Sequence, residues 1–445
     1  MLFPFLQYIN PTWYFNLPSK GSFAYFPDYD LLDQEDRSLL ALDKGYSNWE
    51  VIKLDAAYQA WHKGIIESNP SVSLHTASIK PTVNDNYRFI RKYFHPVWSW
   101  YVLALRLLTF HHPIQEISGF IRQSGLRRVS LYDRVYPHET AYQQFDSTLV
   151  KAAPKVSVII PTLNRYVYLK DALHDLEHQD YTNFDVIIVD QSEPFQEDFY
   201  KNFKLDIKVI YQAEKALWLA RNNGVKSSNN EIIVLTEDDV RLPVNWLRDH
   251  LKCLDYFTAD ISCGVFFPKG GKIPKEKNLF RYADQLATGN VCFKKDVFRK
   301  IGLFDRQFEK QRMGDGEFGL RAYLAGLKLI SNPLAWCEDV KAPIGGLRQM
   351  GSWDAFRPKS WLSPRPVPSV LYLYRKYFGD KLARLALLKN VLPSIVPYRF
   401  KKNKVLLLIG SILSMFFIPL FLLQVSRSWR EASIKLVEGE LIEYL

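Results

Sequence analysis

Short β-branched runs alternate with amphipathic stretches from Lys155 to about Gly346, the pattern of a mostly parallel sheet with helices on its faces. Period-two and continuous apolar runs predict strands over 156–160, 185–189, 207–211, 231–235 and 260–265. Period-3.6 stretches predict helices over 166–179, 216–227, 244–255, 294–301 and 316–326. The fold class is therefore α/β. Three of the strands stop abruptly in polar groups. KVSVIIPTLNR closes on Pro161, Thr162, Asn164 and Arg165, VIIVD closes on Asp190, and EIIVLTEDD closes on Glu237, Asp238 and Asp239. Ligands of open α/β sheets bind outside the carboxyl ends of the strands, so three such ends describe one rim suited to a charged, nucleotide-like ligand with a metal.

The flanks have a different texture. Residues 1–150 show no clear period until about Asn86, where NYRFIRKYFHPVWSWYVLALRLLTFHH predicts an apolar helical stretch to about Phe110, interrupted by Pro96. Such a helix either packs on the main domain or lies on a membrane surface. Beyond the alternating region, Pro366 to Leu388 reads as a basic amphipathic helix suited to a lipid surface. Val405 to Val425 carries no charge over 21 residues, enough to cross a bilayer as a helix. Pro419 inside it and Arg427 and Arg430 after it leave a kinked re-entrant or interfacial helix open as well. The chain thus divides into an N-terminal extension (1–150), an α/β domain (151–346), a basic helical region (347–404), an apolar segment (405–425) and a tail (426–445).

Charge sharpens this division. The net charge is +11, and the stretch from Lys341 to Lys404 holds fourteen Lys or Arg against two Asp. A basic stretch beside an apolar segment points to an anionic membrane surface, with the catalytic part on the cytoplasmic face. No nucleic-acid-binding motif accompanies the charge, so no nucleic-acid partner is expected. The four cysteines have no paired CxxC spacing, which fits buried thiols in a reduced compartment. The apolar N-terminus lacks a basic leader and a small-residue cleavage site, and is not read as a signal peptide.

The acidic cluster Glu237-Asp238-Asp239 is the strongest local clue to chemistry. Three carboxylates at a strand end repel one another unless a cation sits among them, and hard oxygen ligands suit Mg²⁺ or Mn²⁺. A solvated turn ahead of Pro243 is the plain alternative. The order VSVIIPTLNR, VIIVDQS, LARNNG, LTEDDV, TGNVCF and GDGEFGLRAYLAG resembles glycosyltransferase family 2 on the GT-A fold, over about residues 155–346.

That resemblance implies a site. Pro161, Thr162, Asn164 and Arg165 would lie against a nucleotide, and Asp190 would bond its base. Arg221 would help hold the nucleotide sugar. Asp238 would contact the ribose or sugar, while Asp239, with Glu237 and Asp339, would hold the metal. Gly289 and Asn290 of the TGN loop would border donor sugar and acceptor. Asp315 would be the general base that deprotonates the acceptor hydroxyl as it attacks the anomeric carbon with inversion, and Glu317 would complete the acidic pair at the helix start.

Four features depart from the family pattern. Glu237 stands where the family more often has Asp. Gly314 stands where an acid commonly precedes the base. Asp339 stands where a His often precedes the Lys-Ala-Pro-x-Gly-Gly run, with Glu338 as a competing ligand. Gln349-Met350-Gly351-Ser352-Trp353 lacks the Arg of the processive signature, which implies transfer of a single sugar. The expected function is inverting transfer from a nucleotide-diphosphate sugar to a cell-envelope or lipid-linked glycan. The alternative is a catalytically inactive sugar-nucleotide binder or scaffold of the same fold. The missing GxGxxG argues against a dinucleotide-binding dehydrogenase, and the first strand lacks the Gly-rich loop of a nucleotidyltransferase.

Overall fold

The computed structural model describes residues 1–343, 345–346, 354–358, 360–397, 400 and 403–445. The N-terminal layer is built from helices α1 (Trp49–Lys63), α2 (Val83–Tyr93), α3 (Val97–Leu108) and α4 (Pro113–Gln123). The apolar stretch read from the sequence as one interrupted helix is two, because Pro96 cannot continue α2 and instead opens α3. Thr82 and Asp85 cap α2 reciprocally. Helix α3 buries Val102 and Leu103 on one side and leaves Trp100, Leu108 and the following Phe110 exposed on the other.

The central sheet has nine strands. Strands β1 (Val156–Thr162), β2 (Phe184–Asp190), β3 (Ile207–Tyr211) and β4 (Ile232–Thr236) are parallel, in the spatial order β3-β2-β1-β4. Every residue of β1 and β4 is buried, as expected of parallel strands covered on both faces. Helices α5 (Tyr166–Glu177), α6 (Leu217–Ser227) and α7 (Trp246–Tyr256) fill the crossovers. Gly224 lets α6 settle onto the sheet, since a Cβ there would lie 2.4 Å from Ile159.

The second half of the sheet is mixed. It comprises β5 (Val240–Arg241), β6 (Ile261–Pro268), β7 (Arg281–Tyr282), β8 (Asn290–Lys294) and β9 (Leu329–Asp339). Strand β8 runs antiparallel between β4 and β6, and β9 pairs β6 in parallel but β5 and β7 antiparallel. Strand β9 went unread in the sequence because Asn332-Pro333 interrupts it and its pairing with β6 shifts register after Gly264. Helices α8 (Asp296–Ile301) and α9 (Gly314–Leu324) follow β8.

Helix α10 (Pro368–Asn390) corrects one expectation. Most of its apolar residues face the protein core rather than the surface, Leu388 being exposed. Val370, Leu371, Tyr372 and Leu373 are buried in the main core, the Tyr372 hydroxyl donates to Asp305 (3.2 Å), and the Ser369 hydroxyl donates to the Arg312 carbonyl (2.8 Å).

The apolar segment that follows is α11 (Lys404–Leu413), a 3-10 turn at Ser414–Phe417, and α12 (Ile418–Glu438). Its most apolar window is only 11% buried, so it is no core helix. Both of its flanks are fastened to one body. Arg365 donates through Nη1 to Ser394 Oγ (2.5 Å) and through Nε to Gln424 Oε1 (3.0 Å). The tail then docks on the α/β domain, where Leu441 N donates to Asp305 Oδ1 (3.0 Å) and Leu303 N to the Glu443 carbonyl (2.7 Å).

Candidate active site

The rim foreseen at the strand ends exists. Pairing sets Thr162 beside Asp190 and Val240 beside Asp339, so the acidic turn after β4 sits between β1 and the end of β9. Thr162 Oγ1 donates to Asp238 Oδ2 (2.8 Å). Arg165 reaches over from the loop after β1 and bridges two carboxylates, with Nη1 3.0 Å from Asp238 Oδ1 and 3.2 Å from Asp239 Oδ2. Asp239 Oδ2 also accepts from Ala342 N (2.9 Å). The Gly345-Gly346 pair, both in the left-handed region, closes over this arginine. Cβ atoms there would lie 2.7 Å from Arg165 Cγ and 2.5 Å from its Cζ respectively.

The electrostatics of this floor are unbalanced. Burial, ahead of repulsion from Asp239, pushes the Asp238 carboxyl up to about 6, although Arg165 pulls it back. Burial in the cleft floor pushes Glu237 up to about 7. Arg221 opposes this push, and Asp239, Asp238 and Asp339 add to it; the 42% of the Glu237 side chain that solvent still reaches softens it. Burial works against the Arg165 charge, but Asp238 and Asp239 more than offset it and hold that guanidinium above its usual range.

Arg221 is the counterpart. It is 1% exposed, its one carboxylate partner among the described residues is Glu237 at 3.4 Å, and it stacks 5.0 Å above the Trp218 ring. Its Nε has no partner among the described residues, and burial pushes the group below its usual range. A buried guanidinium held this loosely retains hydrogen-bonding capacity for a further acceptor.

The structure treats the remaining predicted residues unequally. Pro161 and Thr162 end β1, and Asn164 sits at φ 55° with its Oδ1 accepting Glu193 N (3.0 Å). Asp190 is buried and already accepts from the Tyr166 and Tyr200 hydroxyls (2.6 and 2.7 Å) and from Ser192 N (2.8 Å). Gly289 lies against the floor, since a Cβ there would come 2.7 Å from Glu237 Cδ. Asn290 points into the core instead. It accepts from Trp246 Nε1 (2.8 Å) and donates to the Ala335 and Val265 carbonyls (2.9 and 3.2 Å). Asp339 Oδ1 accepts from Lys341 N (3.0 Å), and Glu338 Oε1 accepts from Gly270 N (2.8 Å). Among the described residues no cluster of three or more His, Cys, Asp or Glu is arranged as a metal cage.

Asp315 lies in the first turn of α9, where its Oδ1 accepts Gly316 N (2.8 Å). Glu317 is fully buried, held by both Nε and Nη2 of Arg321 (3.0 Å each) and by the Tyr377 hydroxyl (2.5 Å), so it ties α9 to α10. The glycine at 314 has a local cause. A Cβ there would lie 2.4 Å from the Trp218 ring, which leaves no room for an acid. The sequence held no signal for Trp218, nor for Tyr14, whose hydroxyl donates to the Gly316 carbonyl (2.5 Å) from 302 positions away. Residues 349–353 lie outside the described residues.

The carboxyl ends of the parallel strands thus bring together a crowded carboxylate floor and a buried arginine with one unpartnered nitrogen among the described residues. Residues 157–322 match the profile of glycosyl transferase family 2, and that segment is a family 2 glycosyltransferase domain. The chain is 23% identical over 163 residues to glycosyltransferase GlyA of Streptococcus pneumoniae, covering 36% of this chain and 22% of that protein. It is 26% identical over 180 residues to the GalNAc(5)-diNAcBac-PP-undecaprenol beta-1,3-glucosyltransferase of Campylobacter jejuni, covering 36% of this chain and 57% of the relative. These matches thus span less than two thirds of the relatives' own lengths. Among solved structures, S. aureus TarS residues 1–349 with UDP-GlcNAc gives a TM-score of 0.43 at 16% identity, covering 65% of this chain and 97% of the other. A mannosyltransferase from Pyrobaculum calidifontis with GDP-Man and Mn²⁺ gives 0.43 at 15% identity, covering 67% and 92%.

Proposed function

We propose that the protein is an inverting glycosyltransferase that moves a sugar from a nucleotide-diphosphate sugar to a hydroxyl of a cell-envelope or lipid-linked glycan. The observation that carries this reading is the floor itself, where Glu237, Asp238 and Asp239 crowd between Arg165 and the under-partnered Arg221 within a family 2 domain. Carboxylate chemistry fits Mg²⁺ or Mn²⁺, and Asp239, Glu237 and Asp339 would hold the ion. When bound, it supplies charge neutralisation to the diphosphate leaving group. Arg165, which bridges Asp238 and Asp239, would swing away or turn to the diphosphate when the donor enters.

Asp315 is the base in this reading. The acceptor oxygen attacks the anomeric carbon, the bond from that carbon to the diphosphate breaks, and the hydroxyl proton passes to Asp315. The inactive-scaffold alternative drew on Gly314, and the Trp218 contact supplies a steric reason for that glycine with no loss of the base.

Membrane attachment is part of the proposal. Because Arg365 holds both Ser394 and Gln424, the intervening arm starts and returns on one side, which favours an apolar arm lying in the face of an anionic bilayer over a single crossing. Exposed Leu408, Ile412 and Phe416 would enter the lipid.

The test is a melting-temperature panel of UDP, GDP and their sugars, with and without Mn²⁺. A ligand that binds the native state raises the melting point. A flat response to every nucleotide would remove the proposal.

A further inference from the structure

A cavity of about 480 Å³ lies where the N-terminal layer meets the α/β domain and α10, and its lining holds none of the residues assigned to the donor chemistry. Its walls come from three separate stretches of the chain. Trp13, Trp61 and His62 belong to the N-terminal layer, Arg281 and Asp284 to the family 2 domain, and Asn390 to the end of α10. The polar groups are fixed in place. Trp13 Nε1 donates to Asp284 Oδ2 (2.8 Å), and the Arg281 guanidinium lies 4.3 Å over the Trp61 ring. His62 Nδ1 pairs with the Tyr132 hydroxyl (2.7 Å), whereas its Nε2 is buried with no partner among the described residues. Burial, and then the Arg281 charge, push that imidazole well below its usual range, so it is a neutral group with one hydrogen-bonding nitrogen to spare.

Shared lining residues relate the cavity to the floor. Arg281 and Asp284 also line a smaller cavity of about 80 Å³ that reaches Phe266. Phe266 and Glu237 in turn flank Gly289, each with an atom 2.7 Å from where a Cβ of that residue would stand. On the opposite side Tyr14, next to Trp13, holds the Gly316 carbonyl, one residue beyond Asp315. The contacts that leave the cavity thus lead toward the carboxylate floor through Phe266 and Gly289, and toward the turn that carries Asp315 through Tyr14.

Aromatic faces beside carboxylate, amide, guanidinium and imidazole groups suit a sugar ring, whose C–H face is apolar and whose edge carries hydroxyls. We infer that this cavity is the acceptor subsite, taking a glycan end of one or two sugars, and that the N-terminal layer exists to build it. The inference rests on the glycosyl-transfer reading, but it can fail separately.

The experiment uses the full chain and a panel of free hexoses, N-acetylhexosamines and their disaccharides at millimolar concentration, read by saturation-transfer difference NMR. Wild type, Asp284→Asn and His62→Gln are compared; the first substitution keeps an acceptor for Trp13 and the second keeps a polar group of similar size. The expected result is ring-proton saturation from at least one saccharide, reduced at least five-fold in both variants. The melting shift given by a nucleoside diphosphate with Mn²⁺ should be unchanged. Equal saturation in wild type and both variants overturns the inference. So does a panel in which nucleotide binds and no saccharide does. Saccharide binding that depends on His62 and Asp284 without any nucleotide shift upholds the cavity as a sugar site and sinks the transferase reading. Should His62→Gln lower the melting point, Tyr132→Phe serves in its place, removing only the hydroxyl that orients the imidazole.

Discussion

The carboxylate of Asp55 in the N-terminal layer and the carboxylates of the sheet rim are built on opposite principles. In the N-terminal layer Asp55 is fully buried and fully answered. Its Oδ1 accepts from the Tyr46 and Tyr93 hydroxyls (2.9 and 2.8 Å), and its Oδ2 from Lys92 Nζ (2.6 Å) and Gln59 Nε2 (2.8 Å). At the sheet rim Glu237, Asp238 and Asp239 share two arginines, one of which keeps an unpartnered nitrogen among the described residues. Burying charge costs several kcal/mol per ion unless partners repay it. The fully partnered carboxylate holds the fold together, and the under-partnered ones are where the proposed ligand would bind.

The largest effect that would separate the two is on catalysis. Asp315→Asn should lower the transfer rate by ~10²- to 10⁴-fold with little change in melting temperature. Sugar transfer at the wild-type rate would remove Asp315 from the chemistry.

Asp55→Asn should do the reverse. It breaks a buried pair and costs about 3 kcal/mol of stability, at the low end because Lys92 keeps Asp43 at 3.3 Å. Chemical denaturation measures the loss, and turnover per folded molecule should hold. An Asp55 variant that is stable but inactive would erase the contrast.

The third prediction concerns pH. The Glu237 and Asp238 carboxyls stand at about 7 and about 6 in the folded chain, against about 4 when unfolded. Between those values the folded state binds more protons, so the stability of the ligand-free protein falls as pH rises from about 4 to about 7. Glu237→Gln should flatten the upper part of that slope. Mn²⁺, which competes with protons for these carboxylates, should raise the melting point more at pH 7.5 than at pH 5.5. An equal Mn²⁺ effect at both pH values would count against these residues as its ligands.

The smallest effect on the folded molecule tests the same logic in apolar form. Leu408→Lys, Ile412→Lys and Phe416→Lys together should move the protein from the membrane to the soluble fraction, with stability changed by only about 0.5 kcal/mol per site, because all three side chains are exposed. A variant that stays in the membrane would direct attention to Leu108 and Phe110 in the N-terminal layer.

Much of the α/β domain is legible in local pattern. Strands β1 to β4 and helices α5 to α7 were expected within two or three residues of where they lie, because buried parallel strands and amphipathic helices impose short periods on the chain. The acidic turn at 237–239 was legible for a related reason, since a strand end fixes which way its polar residues face. Other assignments depended on distant partners. Helix α10 has the composition of a lipid-facing helix and instead packs into the core, where Asp305, Glu317 and the Arg312 carbonyl accept from its hydroxyls. Asn290 and Glu317 share motifs with rim residues, yet their side chains are satisfied by Trp246 and Arg321.

By itself the sequence determined the strand order of chemistry along the chain, the carboxylates that gather at the rim and the presence of an apolar arm, since each rests on residues near one another. Only the tertiary structure decided that Trp218 excludes an acid at position 314, that Arg365 joins both ends of the arm, and that Trp13, His62 and Asp284 enclose one cavity. Those contacts bridge from 29 to 271 positions along the chain, and no short-range periodicity encodes which distant side chains will close on one another when a core is packed.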